Sequence, residues 1–360
     1  MLPYWFLLTF CAVGAFQHKL DSRRNTQGGA LLSVVIALIA IMIGMRFEVG
    51  ADWIAYGRMY LVTGYWDLWT TLLSSDPGYM LLNWLAQRAG LGVWVVNLAS
   101  AMLFMWGLSR FARRQPNPWL TTVVAVPYLI IVVAMGYTRQ AVAIGVILAG
   151  ITAIHDRQSI VRFGIYILIA ATFHKTAIIM LPLVALAITH NRTIIIGISI
   201  LLGAALFYFF LNPRLDLLVE NYVTTEYDSE GAAVRVAMSA LPAVIFLLFQ
   251  NRFSLNEFEK KLWRNVSLAA LAALLMLITM ESSTVVDRLA LYAIPLQLVV
   301  FSRIPYVFST DASGRTWLIL LVIAYSAAVQ FVWLNYASHA REWVPYRIYP
   351  VGSKANVLQS

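Results

Sequence analysis

Residues 29–56 read GALLSVVIALIAIMIGMRFEVGADWIAY. Positions 29–45 carry no charged side chain, and then Arg46, Glu48 and Asp52 arrive together around Gly50. A charge-free run approaching the ~20 residues of a straight crossing suits a helix in hydrocarbon, and the polar break marks where it leaves. The pattern repeats along the chain, with apolar runs at about 3–17, 29–45, 91–109, 119–135, 141–154, 160–173, 176–189, 193–211, 236–249, 266–281, 289–302 and 316–334. The expectation is a single all-α polytopic integral membrane domain over 1–360, with about twelve transmembrane helices. A thirteenth apolar stretch, 78–89 (GYMLLNWLAQRA), is short and polar at its end, and is expected to be a re-entrant or interfacial helix.

Composition agrees. The chain is 61% hydrophobic and only 12% charged, about half the charge fraction of a soluble domain. The net charge of +9 does not require a nucleic-acid partner, because excess Lys and Arg orients membrane loops. The one cysteine, Cys11, falls inside the first apolar run, so neither a disulfide nor a thiolate metal site is indicated. The start, MLPYWFLLTF, lacks a positive leader region and a small-residue cleavage pattern, and reads as a retained first helix.

Loop charges assign the faces. Basic turns at Lys19/Arg23/Arg24, Arg110/Arg113/Arg114, Arg157/Arg162, Arg192, Arg252/Lys260/Lys261/Arg264 and Arg303/Arg315 are separated by even numbers of crossings. They hold 15 of the 26 basic residues and five of the 17 acidic ones, so the positive-inside rule makes them cytoplasmic. Both termini are then extracytoplasmic. So are three longer pieces: 46–77, rich in Trp and Tyr; 212–235, with an amphipathic helix near 213–226; and the tail 335–360. Treating 78–89 as a true span would move Arg110, Arg113 and Arg114 outside.

Four cations or protonatable groups recur on that outer, less positive face: Arg46, Arg139, His174 and Arg288. After Gly50, which permits a sharp turn, Asp52, Tyr56 and Tyr60 follow at i, i+4 and i+8 on one helix face. A carboxylate with two phenols suits a sugar, while a helix cap with interfacial tyrosines is the plainer alternative. Gly136-Tyr137-Thr138-Arg139-Gln140 puts a guanidinium at the start of a span, where it can clamp a phosphate or simply snorkel. Phe173-His174-Lys175-Thr176 offers a proton acceptor beside a cation, or an ordinary polar turn. In Glu281-Ser-Ser-Thr-Val-Val-Asp287-Arg288, Asp287 either orients Arg288 or neutralises it. Alone, each motif has a structural reading. Together, cations gathered on one outer cavity beside Asp52 and His174 imply an anionic ligand such as a phosphate or pyrophosphate. There is no Walker A loop, no HExxH and no His/Cys set at metal-ligand spacing.

The ordered motifs Arg46…Gly50-x-Asp52…Tyr56, Asp76-Pro-Gly-Tyr79, Arg139-Gln140, Phe173-His174-Lys175-Thr176 and Asp287-Arg288 resemble the EpsG family of bacterial exopolysaccharide proteins, which are similar to Wzy-type polysaccharide polymerases. The resemblance spans about residues 30–300; Asp76 departs from it, since a glutamate is commoner there. It implies a multi-pass protein of the bacterial inner (cytoplasmic) membrane with its site on the periplasmic face. The implied substrate is a glycan carried on undecaprenyl or another polyprenyl pyrophosphate. The growing glycan would move to the non-reducing end of another lipid-linked repeat unit, without cofactor or metal. A flippase and a chain-length regulator are the implied partners.

On that basis His174 is expected as base, with Asp52 positioning the acceptor. Arg139 and Arg288, supported by Arg46 and Lys175, are expected at the pyrophosphate. Tyr56, Tyr60, Tyr137 and Asp287 are expected at the glycan. A single displacement would invert the anomeric carbon. Competing readings are a lipid-linked oligosaccharide flippase or other transporter, whose charges belong near the midplane, a glycan ligase using the same donor, a membrane O-acyltransferase and a structural subunit.

Overall fold

A computed structural model describes residues 1–18, 25–155, 159–188, 197, 232–279 and 283–349. Among these, every regular element is a helix, and the one strand-like feature is an isolated antiparallel bridge between Arg46 and Ile348. Five helices are long and apolar enough to cross a membrane: Val93–Ala112, Ala232–Phe249, Glu257–Ile278, Val286–Val307 and Ala312–Tyr336. Shorter apolar helices occupy Leu2–Gln17, Gly29–Gly44, Pro118–Ala134, Thr138–Ile154, Ile160–Phe173 and Lys175–Ala185. The chain is thus a polytopic membrane protein, all-helical over the described residues. The expected run 193–211, the helix near 213–226, most of loop 212–235, Glu281 and the end of the tail fall outside the described residues, as do the basic positions at 19–24, 157 and 192.

The chain divides into two compact units. The first comprises Met1–Ala149, Ile169–Lys175 and Ile319–Ser360. Its helices are α1 (Leu2–Gln17), α2 (Asn25–Gly44), α3 (Trp53–Thr63), α4 (Leu68–Leu72), α5 (Pro77–Arg88), α6 (Val93–Ala112), α7 (Pro118–Ala125) and the start of α8 (Thr138–Ile154). Helix α2 runs along α6, α1 along α7, and α5 carries α3 and α4. Helix α5 forms where the short apolar stretch 78–89 was expected, with Pro77 in its first turn. Helices α6 and α8 touch backbone to backbone: a Cβ on Gly107 would sit 1.8 Å from the carbonyl oxygen of Gly145. Small residues permit that approach, the usual means of packing helices in lipid.

After Ala125, α7 widens into a π-helix over Val126–Ala134. Pro127 lacks an amide hydrogen, and a register of i→i+5 is uncommon beyond one turn. One carbonyl in this stretch, that of Ile131, accepts the Trp343 indole N–H at 2.8 Å. The widened segment leads directly into the Gly136–Gln140 turn.

The second unit comprises Gly150–Leu168 and Thr176–Leu318. It contains the first part of α9 (Ile160–Phe173), α10 (Met180–Ala185), α11 (Ala232–Phe249), α12 (Glu257–Thr279), α13 (Ser283–Ala290) and α14 (Pro295–Val307). Helix α11 lies along α12 and also meets α13 and α14. The last helix, α15 (Ala312–Tyr336), leads to the tail.

Candidate functional site

The loop that follows α2 is built around Arg46. Its side chain is fully buried, and its guanidinium donates to Ile43 O at 2.7 Å, Val49 O at 3.3 Å, Thr138 Oγ1 at 2.7 Å and Asn97 Oδ1 at 3.4 Å. Burying a guanidinium is costly unless its donors are met, and these four acceptors engage all three of its nitrogens. Arg46 was expected to help hold pyrophosphate. The structure gives it protein acceptors instead, and through Thr138 it fixes the residue before Arg139. Asn97 and Thr138 were not singled out from the sequence; an asparagine inside the apolar run 91–109 was the available signal.

The turn itself uses unusual backbone. Glu48 has φ 51° and Gly50 φ 103°. A Cβ on Gly50 would lie 2.3 Å from the carbonyl oxygen of Met135. Gly50→Ala therefore combines backbone strain of about 1–3 kcal/mol with a clash against the 135–137 turn. The expected outcome is a marked fall in thermal midpoint and in monodisperse yield after solubilisation; unchanged melting would contradict the tight seating of this loop.

Helix α3 carries Asp52, Tyr56 and Tyr60 as expected, but the three meet different surroundings. Asp52 stands at the N-cap, yet its carboxylate does not cap the helix. Tyr56 is buried, with its ring 5.4 Å from that of Tyr79. Burial, and then the nearby Asp52 carboxylate, push the Tyr56 phenol above its ordinary range, so it stays protonated at working pH. Tyr60 donates to the carbonyl of Leu91 and packs on Trp53, Val93 and Tyr349. Tyr137 is half-buried at the start of the α8 turn.

Arg139 forms an ion pair with Asp76, whose side chain is only 6% exposed against 25% for Arg139. The Arg139 guanidinium also lies over the Tyr56 ring, 5.9 Å from its centre. Among the described residues its buried Nε–H has no hydrogen-bond acceptor. Asp76 precedes α5 without capping it; its carboxylate turns to Arg139 instead. The pairing was not foreseen, because 63 residues separate the two. Helix α5 begins against the end of α9: a Cβ on Gly78 would meet Thr172 Oγ1 at 2.4 Å and Phe173 at 3.2 Å. His174 and Lys175, both half-buried, follow immediately.

Four of the five motifs therefore meet within the first unit: 46–56, 76–79, 136–140 and 172–175. The fifth lies in the second unit. There Asp287 was expected to orient or neutralise its neighbour Arg288. Its two carboxylate oxygens accept from Arg235, Nε at 2.7 Å and Nη2 at 2.8 Å, an ion pair that ties α11 to α13. Arg235 was not a sequence candidate and lies 52 positions away. Arg288 itself is exposed. No group of three or more His, Cys, Asp or Glu among the described residues is placed to hold a metal ion.

Apolar helices with a buried, hydrogen-bonded polar constellation near their ends define a polytopic membrane protein. The EpsG family model matches residues 29–348, nearly the whole chain. The protein belongs to the EpsG family, a Wzy-type polymerase family. Neither a curated protein nor a solved structure matches it. Family membership points to a polysaccharide polymerase-type function, with the character of a membrane glycosyltransferase.

Proposed function

We propose that the protein transfers a growing glycan from a polyprenyl-pyrophosphate carrier to the non-reducing end of another lipid-linked repeat unit, on the outer face of the cytoplasmic membrane. The observation that carries this reading is the meeting of motifs around Arg139. Its guanidinium is held by Asp76 and lies over the Tyr56 ring, and among the described residues one buried donor has no acceptor. A held guanidinium with spare donor capacity suits a phosphoryl oxygen, because it needs little reorganisation as charge develops. Lys175, in the same unit, is assigned to phosphoryl binding as well. Arg46 acts as a positioning residue.

In the proposed step the acceptor hydroxyl attacks the anomeric carbon of the donor sugar. A new C–O bond forms, the bond to pyrophosphate breaks, and the lipid pyrophosphate leaves with the electron pair. His174 takes the hydroxyl proton, and Asp52 orients the acceptor, with Tyr60 and Tyr137 toward the glycan. The displacement inverts the anomeric centre. The cations supply the charge stabilisation, so added chelator should leave the rate unchanged. A flippase would supply the donor and a chain-length regulator would terminate growth.

Reconstitution with a lipid-linked repeat unit tests this. A ladder of longer glycans is expected; a single transfer to an unrelated acceptor would indicate a ligase, and translocation without transfer a flippase. His174→Ala should lower turnover by about 10²–10⁴-fold while lipid donor still binds. Asp52→Ala should raise KM for the acceptor more than it lowers kcat. Normal polymerisation by both variants would sink the assignment.

A further inference from the structure

In the first unit, loop 45–92 joins the end of α2 to the start of α6. The two ends lie side by side, since Met45 and Trp94 pack on one cluster with Trp53 and Val93. Within the loop, α4 is inverted relative to a helix that faces water. Its inward position is Thr71, which is buried and whose hydroxyl donates to Asp67 O at 2.8 Å. Its outward positions are Leu68, Trp69, Leu72 and the following Leu73, all exposed. Val62, near the end of α3, and Tyr65, in the turn between the helices, are exposed as well. Tyr65 is 92% exposed, Trp69 68% and Leu73 69%. A helix bathed in water turns its apolar face inward, and a run of exposed apolar side chains marks a contact surface.

A hydrogen-bonded frame imposes this exposure. Asp67 caps α4, its carboxylate accepting from Thr70 N at 2.8 Å. Trp66 O accepts from Trp84 Nε1 at 3.1 Å and from Arg88 at 3.2 Å, and Arg88 lies 5.2 Å from the Trp84 ring centre. Gln87 donates to Tyr60 O at 2.8 Å. Helix α5 therefore holds α3, the turn and α4, and the rings of Tyr65 and Trp69 are left outside the packing. Two cations on the same loop, Arg58 and Arg88, are also exposed.

We propose that the outward face of α4, with Tyr65, lies in the bilayer surface, in the leaflet where α2 ends and α6 begins. Leucines interleaved with Trp and Tyr suit the boundary between head groups and acyl chains. A glycan platform would need polar groups free beside the rings, but Asp67, the one charged residue in 64–75, is engaged by Thr70 N. The apolar surface also continues toward the membrane: Leu85 on α5 and Leu91, just before the α6 span, are exposed. A loop tethered at both ends to membrane helices has the bilayer at hand. The contact holds whatever reaction the protein catalyses. Its bearing on the candidate site comes through α5, which packs on α4 and starts after Asp76, the partner of Arg139. Seating α4 in the bilayer surface sets the level at which that ion pair stands.

The test uses the full-length protein in nanodiscs of phosphatidylethanolamine and phosphatidylglycerol. Cys11, the one cysteine, is replaced (Cys11→Ser), and a nitroxide is attached singly at Tyr65→Cys, Trp69→Cys, Leu73→Cys or, on the polar edge of α4, Thr70→Cys. Dissolved oxygen concentrates in hydrocarbon and a nickel chelate in water. The ratio of oxygen to nickel collisions is expected to be several-fold higher at 65, 69 and 73 than at 70. Equal ratios at all four positions overturn the proposal, because the surface then faces water. Shielding of 69 and 73 from both reagents also overturns it; spin–spin broadening would identify the cover as a second copy, and its loss on removing lipid-linked glycan would identify a glycan. As a second arm, Leu72→Asp with Leu73→Asp should lift a label at 69 out of the hydrocarbon and lower its ratio several-fold. An unchanged ratio in a protein that elutes and melts like the parent would likewise overturn the contact.

Discussion

Arg139→Ala is expected to lower the rate of ladder formation by about 10²–10³-fold, the usual loss when a preorganised donor to developing charge is removed. The size follows from how the residue is held. A snorkelling arginine would wave in the interface. Arg139 instead bonds Asp76 and packs over the Tyr56 ring. Arg139→Lys should recover little, because an ammonium cannot keep the Asp76 bond, the Tyr56 contact and a phosphate contact in one plane. Asp76→Asn separates positioning from charge. It keeps the cation and weakens its tether, so kcat should fall less than in Arg139→Ala. Asp76→Ala should in addition destabilise the fold, by about 3 kcal/mol, the lower end for a broken buried pair, because a quarter of the Arg139 side chain remains exposed. Rates from single-turnover extension, beside melting curves for each variant, check this ordering. Arg139→Ala polymerising within a few-fold of the parent would remove the guanidinium from the chemistry.

The helices were legible because lipid imposes a simple rule: long runs without charge must be helical. The run that opens at Gly29 and breaks at Arg46 becomes a helix ending at Gly44. The Asp76-Pro-Gly signal before 78–89 becomes the start of α5 at Pro77. The motifs at 46, 76, 139 and 173, far apart in the chain, do meet in one unit.

What pattern could not supply was pairing. Nothing local shows that Asp76 belongs to Arg139 or Asp287 to Arg235, because ion pairs between helices depend on packing and not on sequence spacing. Arg46 misled for a related reason. A cation at the end of a span looks alike whether it faces a ligand or a set of buried carbonyls, and only its contacts tell the two apart. The π-helical register of 126–134 was equally hidden: Pro127 announces a disturbance but not its form.

The tail reads as an aromatic outer extension in sequence, and its structural role leads to the other large expected effect. Deleting residues from Ala340 onward should abolish stable, monodisperse protein, although it removes no expected site residue. Trp343 is buried, its indole donates to Ile131 O at 2.8 Å, and its ring meets Trp333 edge-on at 4.8 Å. It also fills the space at Gly136, where a Cβ would lie 2.6 Å from it. Its carbonyl accepts from Tyr4 at 2.8 Å. The residues on either side of it hold the Arg46 loop: Gly50 N donates to Glu342 O at 2.8 Å, Phe47 N to Arg347 O at 2.9 Å, and Tyr349 N to Met45 O at 2.7 Å. The Tyr346 hydroxyl, which burial pushes up to about 12, donates to Met42 O at 2.8 Å. Removing the tail would leave these backbone donors and acceptors without partners and expose the back of the 135–140 turn. Trp343→Ala alone should cost about 3–5 kcal/mol, as for other buried aromatics cut to a methyl. Arg347→Ala, which loses only the half-exposed pair with Glu48, should cost under about 1 kcal/mol. Melting midpoints for the two point variants, with the truncated chain scored by size-exclusion profile, separate a structural strap from a loose extension. A truncated protein that elutes and melts like the parent would show that the Arg46 loop holds its shape unaided.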